Sequence, residues 1–544
     1  MVRAACAVAI AGLVATACSS SGGKGNGSGA SSASTTTPAA LTPKPGGKVV
    51  MGVEAEIDGF LPTANRFDVT GLTYATTVFD PLATYGSDNK VHPYLAESIT
   101  PNADYTVWTI KLRPNITFSN GDPLTNADVV ADLQAHQKSS LTGPAITNIQ
   151  SVAPGPDNLT VIVTTKTPWV PFPVYLTGQV GMVFSPKMLT DPQGSQHPIG
   201  TGPFILKEWV PGNHFIATKN PNYWQKGLPY LDSVEYRPIV ESTSRDSSLA
   251  AGTVDVIHSS DPQTTVDLKG NNSVNMITDA GAVGEVEEVF IMLNTGKAPL
   301  DDVTLRQALA YATDRKKVVA TIDFGLEADS NGPFGNPGSA FHGPTGYPDF
   351  DLAKAKALVA QYEQKHGVTS VPTFELGTTN SGRNLQEVSL LQQMWADAGI
   401  KVTIKQVEQS QFILYALQGN YNAYLWRQFG EPDPDGDYVW WSSATAAPEG
   451  ALSLNFARNK NPKIDADLQT GRTSADTATR KAAYQDIATQ FGTDVPYVWL
   501  NEALWQIAAK KSVHGILDWT LPDGSKGVDH TIGGFFLMSH VWQG

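Results

Sequence analysis

Cysteine is nearly missing from this 544-residue chain: Cys6 and Cys18 are the only two, so the 526 residues after Cys18 hold no internal disulfide and no thiolate metal site. Histidine is sparse, and its ten copies form no HExxH and no pair at metal-ligand spacing, while CxxC is absent. Imidazole-based metal catalysis is thereby excluded, and neither metal nor cofactor is expected. No GxGxxG follows a strand, no GxxxxGK precedes Ser or Thr, and no Gly-x-Ser-x-Gly elbow occurs, which leaves no nucleotide site and no hydrolase nucleophile to read. Positive charge is scarce too. Lys and Arg number 38 against 52 Asp and Glu, a net charge of −14, so no basic footprint is available and nucleic acid is not expected as a partner.

Aromatic rings, by contrast, are plentiful. Twelve Trp, 17 Tyr and 20 Phe within a 41% hydrophobic composition mark a folded chain, and 49 Gly with 36 Pro make it rich in loops. The length suits three to four structural units at roughly 150 residues each. At the start, Arg3 precedes an apolar run from Ala4 to Ala15 that is shorter than the about 20 residues a membrane span needs, and it ends in Thr16-Ala17-Cys18. This is the pattern of a signal peptide over residues 1–17, and Ala15-Thr16-Ala17 before Cys18 resembles a bacterial lipobox. Residues 18–45, almost entirely Ser, Gly, Thr, Ala and Pro beyond the cysteine, then read as a flexible tether behind a lipidated Cys18.

Folded structure is expected from about Lys48, where Val49, Val50, Met51 and Val53 begin a strand. Trp108, Ile110 and Leu112 alternate with Thr109 and Lys111, the period of a half-buried strand, and Leu159 to Val163 forms another. Thr125 with Asp128 predicts a capped helix through Gln137, and Asp351 caps a helix to about Tyr362. From Arg383 to Ala398, Leu390, Leu391, Met394 and Trp395 share one side of a helix that stops at Gly399. The strand Ile400–Lys405, a helix near 411–418 and the strand 423–426 predict parallel pairing, and a helix over 476–491 followed by an apolar run 495–500 repeats the alternation. There is no fixed-period repeat, so mixed α/β domains are expected.

Acids alternate in Glu431-Pro-Asp433-Pro-Asp435-Gly-Asp437. Asp433, Asp435 and Asp437 match positions 1, 3 and 5 of a calcium loop, but Tyr438 stands where that loop needs glycine and Ala444 where it needs a bidentate glutamate. A solvated turn and a ligand-facing loop are the other readings.

Several motifs occur in one order along the chain from Leu95 to Asp435. They are Leu95-Ala96-Glu97-Ser98, Trp108-x-Ile110-x-Leu112-Arg113, Gly121-Asp122-Pro123-Leu124-Thr125, Gly200-Thr201-Gly202-Pro203-Phe204, Asn220-Pro221-Asn222-Tyr223-Trp224, Arg306-Gln307-Ala308-Leu309, and Asp433-Pro434-Asp435. In these the chain resembles the bacterial extracellular solute-binding proteins of family 5, the dipeptide-, oligopeptide- and nickel-binding components of ABC importers. The resemblance implies an α/β, two-lobed periplasmic-binding-protein-like fold (type II, cluster C-like) with an inserted subdomain and hinge strands between lobes. One lobe would be discontinuous over 46–86, 200–290 and 500–544, with the subdomain at 87–199, and the other lobe would be 291–499.

Function follows as an expectation: a monomeric, lipid-anchored extracytoplasmic receptor, not an enzyme, that captures a short peptide as its lobes close and delivers it to a membrane permease with a separate ATPase. An oligosaccharide or other solute is the alternative ligand, and a secreted hydrolase is a remoter one. The implied ligand-binding residues are Trp426, Arg427, Glu431, Asp433, Asp435, Tyr438, Trp440, Arg383 and Asn380. Arg383 would meet a ligand carboxylate with its two-pronged donor geometry, and the Trp rings would stack. Gly430 stands where the family's peptide binders keep an aspartate for the peptide ammonium, and Glu431 is the adjacent substitute.

Overall fold

A computed structural model describes residues 42–278, 287–517, 519–528 and 533–544. The expected signal peptide, Cys18 and nearly all of the tether lie outside them.

Two β-sheets frame the molecule. The first has seven strands in the order Phe204–Val210, His214–Lys219, Ser233–Pro238, Lys48–Val53, Val256–Ser259, Gln506–Lys510 and Val274–Thr278. Lys48–Val53 runs parallel to both its neighbours, with Met51 opposite Tyr236 on one side and Val256 on the other. Its Val49, Met51 and Val53 are fully buried, as a central parallel strand requires, and they pack in one core with Phe215, Tyr236 and Ile507. Three separated stretches of chain thus build one sheet.

The second sheet has five strands in the order Val402–Gln406, Phe374–Thr378, Ala423–Gln428, Glu288–Leu293 and Tyr497–Glu502. Val402–Gln406 and Ala423–Gln428, which flank the helix Gln409–Gln418, are parallel as their alternation predicts. They do not touch, because Phe374–Thr378 lies between them and pairs with both. Glu288–Leu293 is buried along its whole length and antiparallel to both neighbours. The chain passes from one sheet to the other between Thr278 and Glu288 and returns between Glu502 and Gln506.

A four-stranded antiparallel sheet, Ala96–Pro101, Val107–Leu112, Thr160–Thr165 and Ile149–Pro154, forms a further core between the first and second of the stretches that build the seven-stranded sheet. Trp108, Ile110 and Leu112 all point inward, as their alternation predicts. The adjoining helix Asn126–Lys138 is capped because the Asp128 carboxylate accepts from the Thr125 N–H at 2.9 Å and its hydroxyl at 2.7 Å.

The remaining helices follow their sequence signals with small shifts. Leu352–His366 is capped by Asp351, whose carboxylate accepts from Lys354 N–H at 2.9 Å, and it runs one turn past the expected Tyr362 to end at left-handed Gly367. Gly382–Asp397 buries Val388, Leu391, Met394 and Trp395, while Leu390 is half-buried. Thr477–Asp494 is capped by Asp476. Among the described residues no helix is long and apolar enough to cross a membrane.

Candidate functional site

Parallel strands of both sheets end on one cavity of about 1380 Å³. Glu54 follows Lys48–Val53, Ser260 and Asp261 follow Val256–Ser259, Thr379 to Arg383 follow Phe374–Thr378, and Phe429 to Glu431 follow Ala423–Gln428; all line the cavity. The carboxyl ends of parallel strands are where α/β folds open a crevice, since the loops there diverge.

One wall is aromatic and comes from the five-stranded sheet and its helices. Phe412 stacks on Trp426 with centroids 5.3 Å apart, and Phe456 meets Trp426 at 5.3 Å and Trp440 at 5.2 Å. Trp426 and Trp440 remain half-buried, so ring surface faces the cavity. Trp426 Nε1 donates to Gln428 at 2.9 Å, which holds the indole in place.

The opposite wall is charged. Arg427 donates from Nη2 to Glu54 at 2.8 Å, pairs through Nε with Glu287 at 2.9 Å, and donates to Ser260 Oγ, while its guanidinium lies 4.7 Å over the Trp505 ring. Glu54 and Ser260 belong to the seven-stranded sheet's loops, and Glu287 and Trp505 stand on the two passages between sheets. Arg427 is therefore a tie at the junction of the sheets. Burial alone would raise the Glu54 carboxyl, but Arg427, His258 and Arg245 hold it down at about 2. Glu287 is raised by burial despite Arg427 and the Trp505 N–H at 2.7 Å.

Arg383 likewise lines the cavity, but it already sits among four carboxylates: Asp323 at 2.5 Å, Glu327 at 3.5 Å, Glu387 at 3.7 Å and Asp261 at 3.9 Å. The structure thus gives it neither the free fork needed to meet a ligand carboxylate nor a solvent-facing position. Asn380, Glu431 and Asn384 line the same region. Glu431 is reached by cavity water yet surrounded by protein, and that surrounding, with Asp433 nearby, pushes its carboxyl up to about 7. Gly430 is tightly packed: a Cβ there would come within 3.2 Å of the Glu287 nitrogen and 3.3 Å of its Cα, so the neighbouring backbone would have to shift.

Of the nine residues expected to touch ligand, the structure brings Trp426, Arg427, Glu431, Trp440, Arg383 and Asn380 to the cavity, and it corrects the placement of three. Asp433 is held by Arg480 through two bonds of 2.7 and 2.9 Å. Asp435 is fully buried, pairs with Arg472 at 2.9 and 3.1 Å, and accepts from Trp169 Nε1 at 2.8 Å. Tyr438 faces the Arg472 guanidinium 3.6 Å away. Asp433 and Asp435 are anchors for arginines behind the cavity wall. Among the described residues no group of three or more His, Cys, Asp or Glu side chains could hold a metal ion.

Sequence reasoning missed Glu54, Asp261, Glu287, Phe412, Phe456 and Glu387. A signal existed for two of them. Glu54 directly follows a predicted strand, and Glu387 lies four residues before Leu391 on the apolar side of its helix, where a carboxylate is out of place.

Comparison with known proteins agrees with this geometry. Residues 90–449 match the model of the bacterial extracellular solute-binding proteins, family 5 Middle. The chain is 25% identical over 475 residues to the glutathione-binding protein of Pectobacterium atrosepticum, covering 84% of this chain and 88% of that one. It is also 25% identical over 466 residues to the nickel-binding periplasmic protein of Escherichia coli, covering 81% and 86%. Its fold superimposes on the oligopeptide-binding protein AppA of Bacillus subtilis in complex with a nonapeptide, with a TM-score of 0.79, 21% identity, and coverage of 92% and 100%. The chain belongs to the bacterial extracellular solute-binding proteins of family 5, with the two-lobed type II periplasmic-binding-protein fold, and is the solute-binding component of an ABC importer.

Proposed function

We propose that the solute is a short peptide, held in the cavity between two lobes that close on it and then delivered to a membrane permease served by a separate ATPase. The observation that carries this reading is the cavity itself: at about 1380 Å³ it exceeds the roughly 300–1000 Å³ usual for small-molecule pockets. It also sets an aromatic wall against polar loops with an unpaired Glu431 between them, a combination suited to side chains along an amide backbone. The lobes are taken to divide as 46–86, 200–290 and 500–544 against 291–499, with 87–199 carried by the first, and the two passages between sheets serve as hinge. The receptor is a monomer, anchored outside the cell membrane through lipidated Cys18 and its tether.

Glu431 receives the peptide ammonium in this reading, because position 430 is a glycine crowded by the Glu287 backbone and Glu431 is the adjacent carboxylate on the cavity. Calorimetry with free and N-acetylated peptides on the parent, Glu431→Gln and Asp433→Asn tests it. Acetylation should weaken binding to the parent at least tenfold, and Glu431→Gln alone should abolish that preference, since Asp433 is committed to Arg480. Equal binding of both peptide forms by all three proteins refutes amino-terminal recognition by this loop. The half-buried faces of Trp426 and Trp440 favour an oligosaccharide as the second reading, which gains if sugars bind and peptides do not.

A further inference from the structure

Eleven Asp or Glu side chains and four Arg line the cavity among the described residues. Each arginine is already within ion-pair distance of a carboxylate: Arg66 lies 2.9 Å from Asp58, Arg245 3.9 Å from Glu54, Arg427 2.8 Å from Glu54 and Arg383 2.5 Å from Asp323. No guanidinium on the wall is left over for an anionic ligand. Around Arg383 one cation faces four acids, of which Asp261 and Glu387 line the cavity and Asp323 and Glu327 lie buried beside them.

Those four carboxylates are not equally satisfied. Glu327 accepts from Asn501 Nδ2 and from the Leu504 N–H at 3.0 Å, and Asp261 accepts from Ser242 Oγ at 2.6 Å and the Gln263 N–H at 3.0 Å. Asp323 Oδ1 takes Arg383, but its Oδ2 has no donor. Glu387 is the least satisfied. Its side chain is fully buried, it borders the cavity, neither carboxylate oxygen accepts a hydrogen bond, and its ion-pair partner Arg383 Nη1 is 3.7 Å away, beyond hydrogen-bonding distance. A buried acceptor without a donor is costly unless something else supplies one.

We infer that Glu387, with Asp323 and Asp261 beside it, forms a second binding point that accepts a cationic group of the solute, a primary ammonium or a guanidinium. This rests on the peptide reading of the cavity and narrows it: the preferred peptide carries a basic side chain in addition to its amino terminus. An ammonium has three donors and no acceptor, which suits Glu387 Oε1 and Oε2, the vacant acceptors that border the cavity, while the buried Asp323 adds its negative charge nearby. A ligand carboxylate placed there would face four acids and one guanidinium already committed. Burial also raises Glu387 to about 7 and Glu327 to about 8, with Arg383 opposing both and Asp323 reinforcing them; an arriving cation draws their protons off.

The test is calorimetry of tetra-alanine, of alanine tetrapeptides with one lysine scanned through each position, and of cadaverine. Each is titrated into the parent, Glu387→Gln and Asp261→Asn, with circular dichroism to check folding. At least one lysine position should bind the parent tenfold or more tighter than tetra-alanine, and Glu387→Gln should bring that ratio close to one. If Glu387→Gln does not fold, Asp261→Asn should reduce the ratio threefold or more. Equal affinity for all the peptides, or a lysine preference that survives in the folded variants, overturns the cation site while leaving the peptide reading intact. If no tetrapeptide binds but cadaverine binds the parent and not Glu387→Gln, the cation site holds and the peptide reading fails. If none of these probes binds, the cation site is overturned.

Discussion

Asp435→Asn is the most informative single substitution, because its partners come from distant parts of the chain. Asp435 and Arg472 belong to residues 291–499, whereas Trp169 and Tyr175 come from residues 87–199, the proposed subdomain. Trp169 Nε1 donates to Asp435 at 2.8 Å, Tyr175 donates its hydroxyl hydrogen to the Asp435 backbone carbonyl at 2.5 Å, and the Val170 N–H donates to the Arg472 carbonyl at 3.0 Å. The Arg472 guanidinium lies 4.7 Å over the Trp169 ring, and both charged side chains are almost wholly buried. Separating the proposed lobes breaks this clasp. Asparagine keeps the shape and an acceptor for Trp169 but strands the Arg472 charge. Stranding one member of a buried pair costs roughly 3–5 kcal/mol, and the retained bond places this case near about 3 kcal/mol. That is a factor of roughly 150 in the balance between closed and open forms. Interlobe distances from paired spin labels should shift toward the open form without ligand, and the apparent Kd should rise up to about a hundredfold. Pairing Asp435→Leu with Arg472→Met should recover most of the lost stability, because no charge is then stranded. If Asp435→Asn lowers the melting temperature yet leaves both the distances and the Kd unchanged, the subdomain and Arg472 move as one body, and the clasp does not govern closure.

Three further predictions follow from other parts of the molecule. The Glu387 carboxyl titrates near 7 when folded against about 4.5 unfolded, so the native state holds the extra proton and the stability of the ligand-free parent falls as pH rises from about 4.5 to 7. Glu387→Gln removes this dependence and should gain on the order of 3 kcal/mol over the parent across that window, read by urea denaturation; a difference that does not change with pH would refute the buried-carboxylate account. Gly430→Ala pushes a methyl against the Glu287 backbone and should cost about 1–3 kcal/mol, whereas a neutral result by thermal unfolding would mean the loop yields freely. Cys18→Ala should release the protein from the membrane in detergent phase partitioning, and retention would place the anchor elsewhere.

Much of the fold is written locally. Asp351, Asp476 and the Thr125–Asp128 pair satisfy backbone amides within three residues of themselves, and Gly399 adopts φ +95° just after its helix, so each acts through neighbours that the chain supplies in order. Alternation at Trp108, Ile110 and Leu112 needs only a strand and one dry face. The family motifs are legible for the same reason, being short runs whose order survives without knowledge of contacts.

Charge pairing obeys no such locality. Asp433 and Asp435 look alike in sequence, two acids in one turn, and both looked available for ligand. Their arginines arrive from 47 and 37 residues further on, and the tryptophan that completes the clasp from 266 residues earlier. Arg427 meets Glu54 across 373 residues. Whether a charged side chain is free for a ligand or consumed by the protein depends on which opposite charge the packed elements deliver within about 4 Å, since only at such range, out of water, does the pair offset desolvation. Sequence therefore names the acids and arginines around the cavity, and the tertiary structure alone separates the committed pairs at Arg427, Arg472 and Arg480 from the unmet carboxylates at Glu431 and Glu387.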